Sequence, residues 1–233
     1  MKKDHIVVLT GAGMSAESGL KTFRDHDGLW ENHSVYDVAT PEAFQRDPDM
    51  VQRFYNMRRA QLETVQPNAG HFALVKAERH FDVTIITQNI DDLHERAGSS
   101  KVLHLHGELT KARSSNQPDL IVNWGYGPIE NGDKAEDGSP LRPHVVWFGE
   151  PVPAIEQAVE ICRTATHLLV VGTSLVVYPA AGLVHETPQN CRVTLVDPGD
   201  MSESPIAHAR HVQKPAGQAL PSLIDEWILN GVV

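Results

Sequence analysis

Ile6-Val7-Val8-Leu9-Thr10 runs directly into Gly11-Ala12-Gly13-Met14-Ser15-Ala16-Glu17-Ser18-Gly19. A short apolar run closed by glycines reads as a buried strand followed by a tight turn. Glycine lets the backbone turn sharply and lets a phosphate approach closely. Met14 to Gly19 opens a helix whose unpaired N–H groups would face an anion. Gly11-x-Gly13-x-x-Ala16 fits the dinucleotide fingerprint with alanine in its third position. A ligand-free strand-to-helix turn has the same spacing, so the rest of the chain has to decide.

Further strand-like runs are Val83–Thr87, Leu168–Val171 and Val193–Val196, each closed by small or polar residues. Separated by helical patterns, such runs predict an α/β fold: a Rossmann-like parallel sheet with helices on both faces. Ligands of such sheets sit at the carboxyl ends of the strands. Those ends carry Gly11-Ala12-Gly13, Gln88-Asn89-Ile90-Asp91, Gly172-Thr173-Ser174 and Asp197, which predicts one shared crevice.

Between Glu31 and Arg79 no strand pattern is evident, and the stretch reads as a helical insertion. Asp47-Pro48 is a helix start, an N-cap followed by proline at the first helical position. That helix is expected to run to about Val65 with Met50, Phe54, Met57 and Leu62 facing the core. Pro67-Asn68 breaks it, and Asn68 caps a second helix from Ala69 to Arg79. Lys111 to His144 reads as loop-rich, with one short strand at Leu120–Trp124. A strand pattern returns at Val145-Val146-Trp147-Phe148, and Ala154–Arg163 and Leu220–Leu229 read as amphipathic surface helices.

The chain has 233 residues and a formal net charge of −10, which disfavours nonspecific nucleic-acid binding. Its two cysteines, Cys162 and Cys191, exclude a four-cysteine zinc site by count and read as buried thiols of a reducing compartment. Met1-Lys2-Lys3-Asp4-His5 leads straight into the first strand, and no apolar run approaches membrane-spanning length. The expectation is a cytoplasmic protein with no membrane partner.

A nicotinamide dehydrogenase would continue from the glycine turn into a second strand ending in Asp or Glu about 20 residues on. Glu31 stands near that distance, but Thr22-Phe23-Arg24-Asp25-His26-Asp27-Gly28 before it is a polar loop. Hydride transfer is therefore disfavoured, while a dinucleotide ligand is not. Arg24 has the chemistry to reach a phosphate or carboxylate. Gln88, Asn89 and Asp91 place two amides and a carboxylate at one strand exit. That set suits an amide-bearing ring and its ribose, or simply a capped turn in which Asp91 or Asp92 starts a helix through Arg96. In Leu103-His104-Leu105-His106-Gly107-Glu108 the two histidines alternate onto one face. They are either a metal pair lacking a third ligand, or they deliver His106 to the crevice as a general base.

Together these motifs resemble the sirtuin family of NAD-dependent protein-lysine deacylases over nearly the whole chain. The matching segments are GAGMSAESGLKTFR, TQNID, LHLHGE, VVWFGE, GTS with VVYPAAG, and PAGQALPSL. The resemblance implies a single catalytic domain over residues 1–233. Its large Rossmann-like lobe would comprise about 1–30, 80–110 and 145–233. A small lobe would comprise 31–79, helical, and 111–144, loop-rich. Gly11, Ala12, Gly13, Ser15, Phe23, Arg24 and Trp30 match the NAD-binding loop, with Phe23 and Arg24 in a loop over the nicotinamide ribose. Gln88, Asn89, Ile90 and Asp91 match the nicotinamide and ribose site, with Asn89 and Asp91 counted beside the catalytic base, His106. Gly172, Thr173 and Ser174 match the diphosphate and adenosine-ribose site. Asp197 stands where the family usually has Asn, and Ala216 matches a position beside the adenine. Val146, Phe148, Gly149 and Glu150 match a segment that clamps the substrate backbone by β-pairing.

Tyr55 and Arg58 are neighbours on one helix face, at the edge of a stripe set by Phe54 and Met57. Tyr-x-x-Arg resembles the subclass, bacterial-type class III, that removes succinyl and malonyl groups, and Ala39 matches its small pocket residue. Arginine binds a carboxylate bidentately and a phenol adds a further hydrogen bond. The resemblance thus implies acylated-lysine proteins as substrates, NAD as co-substrate, and nicotinamide with O-acyl-ADP-ribose as products. An NAD glycohydrolase or ADP-ribosyltransferase on the same fold, or a non-catalytic NAD sensor, are the alternatives.

Most sirtuins carry four zinc cysteines before the VVWFGE strand. This chain has no cysteine between Lys111 and His144, and Ser114 stands about where the first ligand would be. No metal is expected. Asp119, Asp133, Asp137 and His144 read as solvated loop residues, and the lobe is expected to pack around Leu120, Ile121, Val122, Trp124 and Tyr126.

Overall fold

The computed structural model describes residues 4–21, 29–30, 33–199, 206 and 208–232, with only the backbone at 29–30. Among these, six strands form one parallel sheet: β1 (His5–Thr10), β4 (Asp82–Thr87), β5 (Val102–His104), β9 (His167–Val171), β10 (Arg192–Val196) and β11 (Arg210–Val212). Their spatial order is β11-β10-β9-β1-β4-β5. The chain winds outward from β1 to one edge, then returns to the other side of β1 and winds outward again. This is the Rossmann order, and its switch point lies between β1 and β9. Register places Thr10 opposite both Thr87 and Val171, and Val171 opposite Val196. The residues that follow, Gly11, Gln88, Gly172 and Asp197, therefore leave the sheet in one row.

Side chains alternate across the sheet because successive residues of a strand point to opposite faces. Ile6 and Val8 face one core with Ile85, Leu74, Leu220 and Trp227. Helices α5 (Ala69–Glu78) and α8 (Ala216–Asn230) cover this face. Val7 and Leu9 face the other, with Ile86, Leu168, Val170 and Leu195. There α7 (Ile155–Cys162) and a 3₁₀ turn (Ala180–His185) form the cover, and Cys162 is buried in it. Each fully buried Leu, Ile or Val contributes about 1.5–3 kcal/mol, so both faces hold the strand exits rigidly.

The remaining elements build the small lobe. After α1 (Gly13–Ala16), a hairpin of β2 (Leu29–Trp30) and β3 (His33–Ser34) leads to α2 (Val35–Val38), α3 (Pro41–Arg46) and α4 (Pro48–Thr64). Asp47 accepts a hydrogen bond from the Met50 amide, as an N-cap should. The buried residues of α4 are Val51, Gln52, Phe54, Tyr55, Arg58, Arg59 and Leu62. Met57 is 53% exposed and Met50 half-buried, which corrects the expected stripe. Tyr55 and Arg58 lie within the buried face and not at its edge. Asn68 caps α5, with His71 completing a reciprocal capping box. α6 (Leu93–Ala97) follows β4.

The stretch expected to be loop-rich contains an antiparallel sheet, β7-β6-β8, formed by Ile121–Asn123, Gly107–Ser114 and Leu141–Val145. β6 runs from the LHLHGE segment into this lobe. The strand expected at Val145–Phe148 ends at Val145, because the next amides bond elsewhere. The local core also differs from expectation: Ala112, Ile129, Ala135, Leu141 and Trp124 pack together. Ile121 and Val122 are 46% and 38% exposed. Tyr126 packs on the α4 side and donates its hydroxyl to Asp92. α8 begins one turn earlier than its pattern predicts and runs through Pro221.

Candidate active site

At the switch point the glycine turns after β1 and β9 are pressed together. Gly11 N–H donates to Val171 O at 3.0 Å and Gly13 N–H to Gly172 O at 2.9 Å. A Cβ on Gly13 would lie 2.7 Å from Gly172 Cα. Gly172 has φ +60°, and a Cβ there would lie 2.4 Å from Met14 N. Only glycine satisfies both turns. The result is a shallow backbone cradle of the kind that accepts a diphosphate. Ala12, Thr173 and Ser174 are half-buried around it. Just beyond, Leu175 holds φ +54°, a strain of order 1–3 kcal/mol that the sequence did not foreshadow.

The exit of β4 is tied to this cradle through side chains. Asn89 Nδ2 donates to Gly11 O at 3.0 Å and Ser15 Oγ at 3.2 Å. Ser15 Oγ donates to Asp91 Oδ2 at 2.9 Å, and Leu93 N–H donates to Asp91 Oδ1 at 3.2 Å. Gln88 Nε2 donates to Thr173 Oγ1 at 3.1 Å. Burial raises the Asp91 carboxyl above its usual range, against the opposing pull of those two hydrogen bonds. Ile90 accepts from Leu109 N–H at 2.7 Å through its carbonyl. Thr10 and Thr87, absent from the expected site, bond to each other at 2.8 Å beneath it, and Asn89 N–H donates to Thr87 Oγ1 at 3.0 Å.

The two alternating histidines clamp the same turn. His104 Nδ1 lies 3.1 Å from Asn89 O and His106 Nδ1 lies 3.0 Å from Gln88 O. A carbonyl only accepts, so each ring carries its proton on Nδ1. His104 Nε2 then meets Glu95 Oε1 at 2.9 Å, and that carboxylate outweighs burial in raising its pKa. Among the described residues His106 has no such partner. Burial lowers its pKa, opposed by the Gln88 carbonyl, which leaves a neutral imidazole with its lone pair on Nε2. The histidines are thus not a metal pair.

Tyr55 is 0% exposed and Arg58 8% exposed, side by side on α4. Ala39, 3% exposed, lies in the same cluster with Trp147. The segment after β8 is anchored internally: Val146 N–H donates to His106 O and Phe148 N–H to Ala39 O, both at 2.9 Å. The chain therefore links the candidate base, the candidate acyl pocket and the candidate clamp within a few residues. Phe148 and Gly149 are exposed. Glu150 turns inward, accepting from Arg113 at 3.0 Å, Arg142 at 2.7 Å and Trp147 N–H at 2.8 Å. Arg113, Arg142 and Trp147 escaped the sequence reading, although Trp147 stands inside the VVWFGE segment. A cavity of about 570 Å³ opens on the outer side of this segment, between α3 and the Glu130–Asp133 loop, away from the strand exits.

Asp197 ends β10 half-buried, its carboxylate accepting from Gly199 N–H at 2.8 Å. Ala216 is buried at the start of α8. Phe23, Arg24 and the side chain of Trp30 lie outside the described residues, as does the expected loop over the ribose.

Ser114 does not present a metal ligand. It is 1% exposed, donates to Asp137 Oδ2 at 2.7 Å, and accepts from the amides of Asn116 and Gln117 at 3.0 Å each. Asp137 also accepts from Ser139 N–H at 3.0 Å. The pair ties the end of β6 to the loop before β8, so Asp137 is not simply a solvated loop residue, and His144 lies on β8. Among the described residues no group of three or more His, Cys, Asp or Glu is placed to hold a metal ion. These residues do not fit a zinc knuckle.

A model of the Sir2 family matches residues 11–179. An NAD-dependent protein deacylase of Bacteroides thetaiotaomicron is 50% identical over 231 residues, covering 94% of this chain and 96% of its own length. One of Aggregatibacter actinomycetemcomitans is 56% identical over 192 residues, covering 82% of this chain and 92% of its own. A solved Sir2 homologue–NAD complex superposes with TM-score 0.87 at 37% identity, covering 99% of this chain and 91% of that one. A Sir2 structure holding an inhibitor, 2′-O-acetyl-ADP-ribose and a deacetylated p53 peptide superposes with TM-score 0.75 at 29% identity, covering 98% and 94%.

Proposed function

The chain belongs to the Sir2 family, and we infer that it is an NAD-dependent protein deacylase whose acyl pocket favours succinyl- and malonyl-lysine over acetyl-lysine. The observation that carries the acyl preference is the buried Tyr55–Arg58 pair on α4. A guanidinium binds a carboxylate bidentately through charge-assisted hydrogen bonds and a neighbouring phenol adds a further donor, so the pair complements an acyl group that ends in a carboxylate. An acetyl group ends in a methyl and offers nothing to either side chain.

The residues present fit NAD. The glycines let the turns after β1 and β9 press together at the strand exits, where a Cβ on Gly13 or Gly172 would meet the facing backbone, and the Asn89–Asp91 exit carries the amide and carboxylate that a carboxamide ring and ribose need. NAD supplies the departing nicotinamide and the ribose that accepts the acyl group. Asn89 and Asp91 orient the nicotinamide end, held in turn by Ser15 and the Gly11 carbonyl. Gln88, Thr173 and Ser174 hold the phosphate and ribose side, and Asp197 and Ala216 line the adenosine end. Phe23, Arg24 and Trp30 complete the cofactor loop. His106 Nε2 takes a proton from a ribose hydroxyl, and its Nδ1–H bond to Gln88 keeps the lone pair aimed there. Val146, Phe148 and Gly149 receive the substrate backbone, while Glu150 supports them from behind. One water is consumed in releasing the lysine amine, and the products are free lysine, nicotinamide and O-acyl-ADP-ribose.

A panel of succinyl, malonyl and acetyl peptides, with and without NAD, tests this reading by mass spectrometry. Loss of the acyl mass together with nicotinamide release is expected, fastest for the acidic groups. Nicotinamide release at the same rate without any acyl peptide would identify an NAD glycohydrolase instead.

A further inference from the structure

Trp147 is 2% exposed and is held from three directions. Its main-chain N–H donates to Glu150 Oε2 at 2.8 Å. The Arg142 guanidinium carbon lies 3.2 Å from the centre of its ring. Its indole Nε1–H donates to the Tyr55 hydroxyl oxygen at 3.0 Å. Arg142 and Arg113 both bind Glu150, so two buried cations on adjacent strands share one carboxylate beneath the indole.

The indole can only donate, whereas a phenol oxygen accepts and also carries one proton. With the indole N–H occupying a lone pair of Tyr55, the phenol proton is directed away from Trp147. Burial pushes the Tyr55 phenol pKa upward, so that proton is retained at any working pH. Tyr55 therefore donates on the side away from the indole, and the Arg58 charge acts on the same phenol. Two donors side by side match an acceptor-only carboxylate and nothing in a methyl group. Phenylalanine at position 147 would keep an aromatic ring there without an N–H and leave the hydroxyl rotor unset.

We propose that Trp147 is a specificity-determining residue, whose indole N–H orients the Tyr55 hydroxyl as a donor to the acyl carboxylate while the Arg113–Glu150–Arg142 cluster positions the indole. This rests on the acidic-acyl reading above.

The test is the ratio of kcat/KM for a succinyl peptide to that for the matching acetyl peptide, in wild type, Trp147→Phe, Tyr55→Phe and the double variant. Trp147→Phe is expected to lower the ratio roughly fivefold to tenfold, the worth of one oriented buried hydrogen bond. In the Tyr55→Phe background the same change is expected to move the ratio by less than about twofold, since coupled residues are non-additive. An unchanged ratio in Trp147→Phe, or effects that simply multiply, overturns the proposal. Should Trp147→Phe fail to fold, benzothienylalanine at position 147 keeps the indole shape, replaces N–H with sulfur, and is read the same way. A wild-type ratio of one or below instead defeats the acidic-acyl reading, and the role of Trp147 with it.

Discussion

The imidazole of His106 donates its Nδ1–H to the main-chain oxygen of Gln88 at 3.0 Å. The bond joins the exit of β4 to the candidate base and settles which nitrogen is basic. Burial keeps the ring neutral by lowering its pKa below the usual 6.5. The kcat/KM of deacylation should therefore rise with pH through an apparent pKa below 6.5 and be flat above neutrality. His106→Ala is expected to lower turnover roughly 10²- to 10⁴-fold, the usual worth of a general base, while NAD still binds in calorimetry. Near-wild-type turnover in that variant would remove His106 from the mechanism.

Arg58→Met separates the acidic-acyl pocket from a structural arginine. A hydrogen-bonded charge contributes about 1.5–3 kcal/mol, so succinyl-peptide kcat/KM should fall roughly 10- to 100-fold more than the acetyl value. Equal losses on the two peptides would mean that Arg58 only holds α4 in place.

Gly172→Ala meets two penalties at once, a left-handed φ of +60° and a Cβ 2.4 Å from Met14 N. Gly125→Ala meets only the first, with φ +84° and nothing within 4 Å. Strain alone costs of order 1–3 kcal/mol, so urea melts should place Gly172→Ala well below Gly125→Ala. NAD affinity should drop only in the former. Equal melts would show that the two turns have room to part.

Acid should destabilise the fold before it titrates ordinary carboxylates. His71 and His167 are buried and their pKa values are pushed down from 6.5 to about 4. His94 is lowered further by burial and by His71. The unfolded chain binds these protons first, so their stability is present above about 6.5 and lost as pH falls toward about 4. Each contributes of order 1–3 kcal/mol across that window. Asp91 acts in the opposite sense, because its raised pKa favours the protonated, low-pH form. The urea midpoint should drop between pH 7 and pH 4.5, and His71→Gln should flatten the slope. A midpoint independent of pH in this window would contradict the buried neutral rings.

Ser114→Ala removes one donor and the acceptor of two amides, so a loss of about 1–2 kcal/mol is expected. Chelator should leave both activity and melting temperature where they were. Stoichiometric zinc by elemental analysis would overturn the hydrogen-bonded account of this lobe.

The parallel sheet and the row of strand exits were legible in the sequence. Buried strands must be apolar, and the turns that follow them must be glycine or small polar residues, whatever surrounds them. Local rules of this kind also placed the caps at Asp47 and Asn68. Of the antiparallel sheet of the small lobe only β7 was legible, as the strand read at Leu120–Trp124; the others alternate weakly and are stabilised by one another across the lobe. The face of α4 was misread for a related reason. Met57 is apolar yet exposed, and Arg58 is charged yet buried, since burial depends on what packs opposite and not on hydrophobicity alone.

What the sequence by itself determined is the set of chemical groups at each strand exit, the order in which they occur, and the family they resemble. What only the tertiary structure decided is how those groups constrain one another. The tautomer of His106 depends on the Gln88 carbonyl, the donor role of Tyr55 on Trp147, and the inward turn of Glu150 on two arginines from neighbouring strands. Each is a hydrogen bond between residues from different elements. Its direction follows from distance and geometry, which no spacing along the chain encodes.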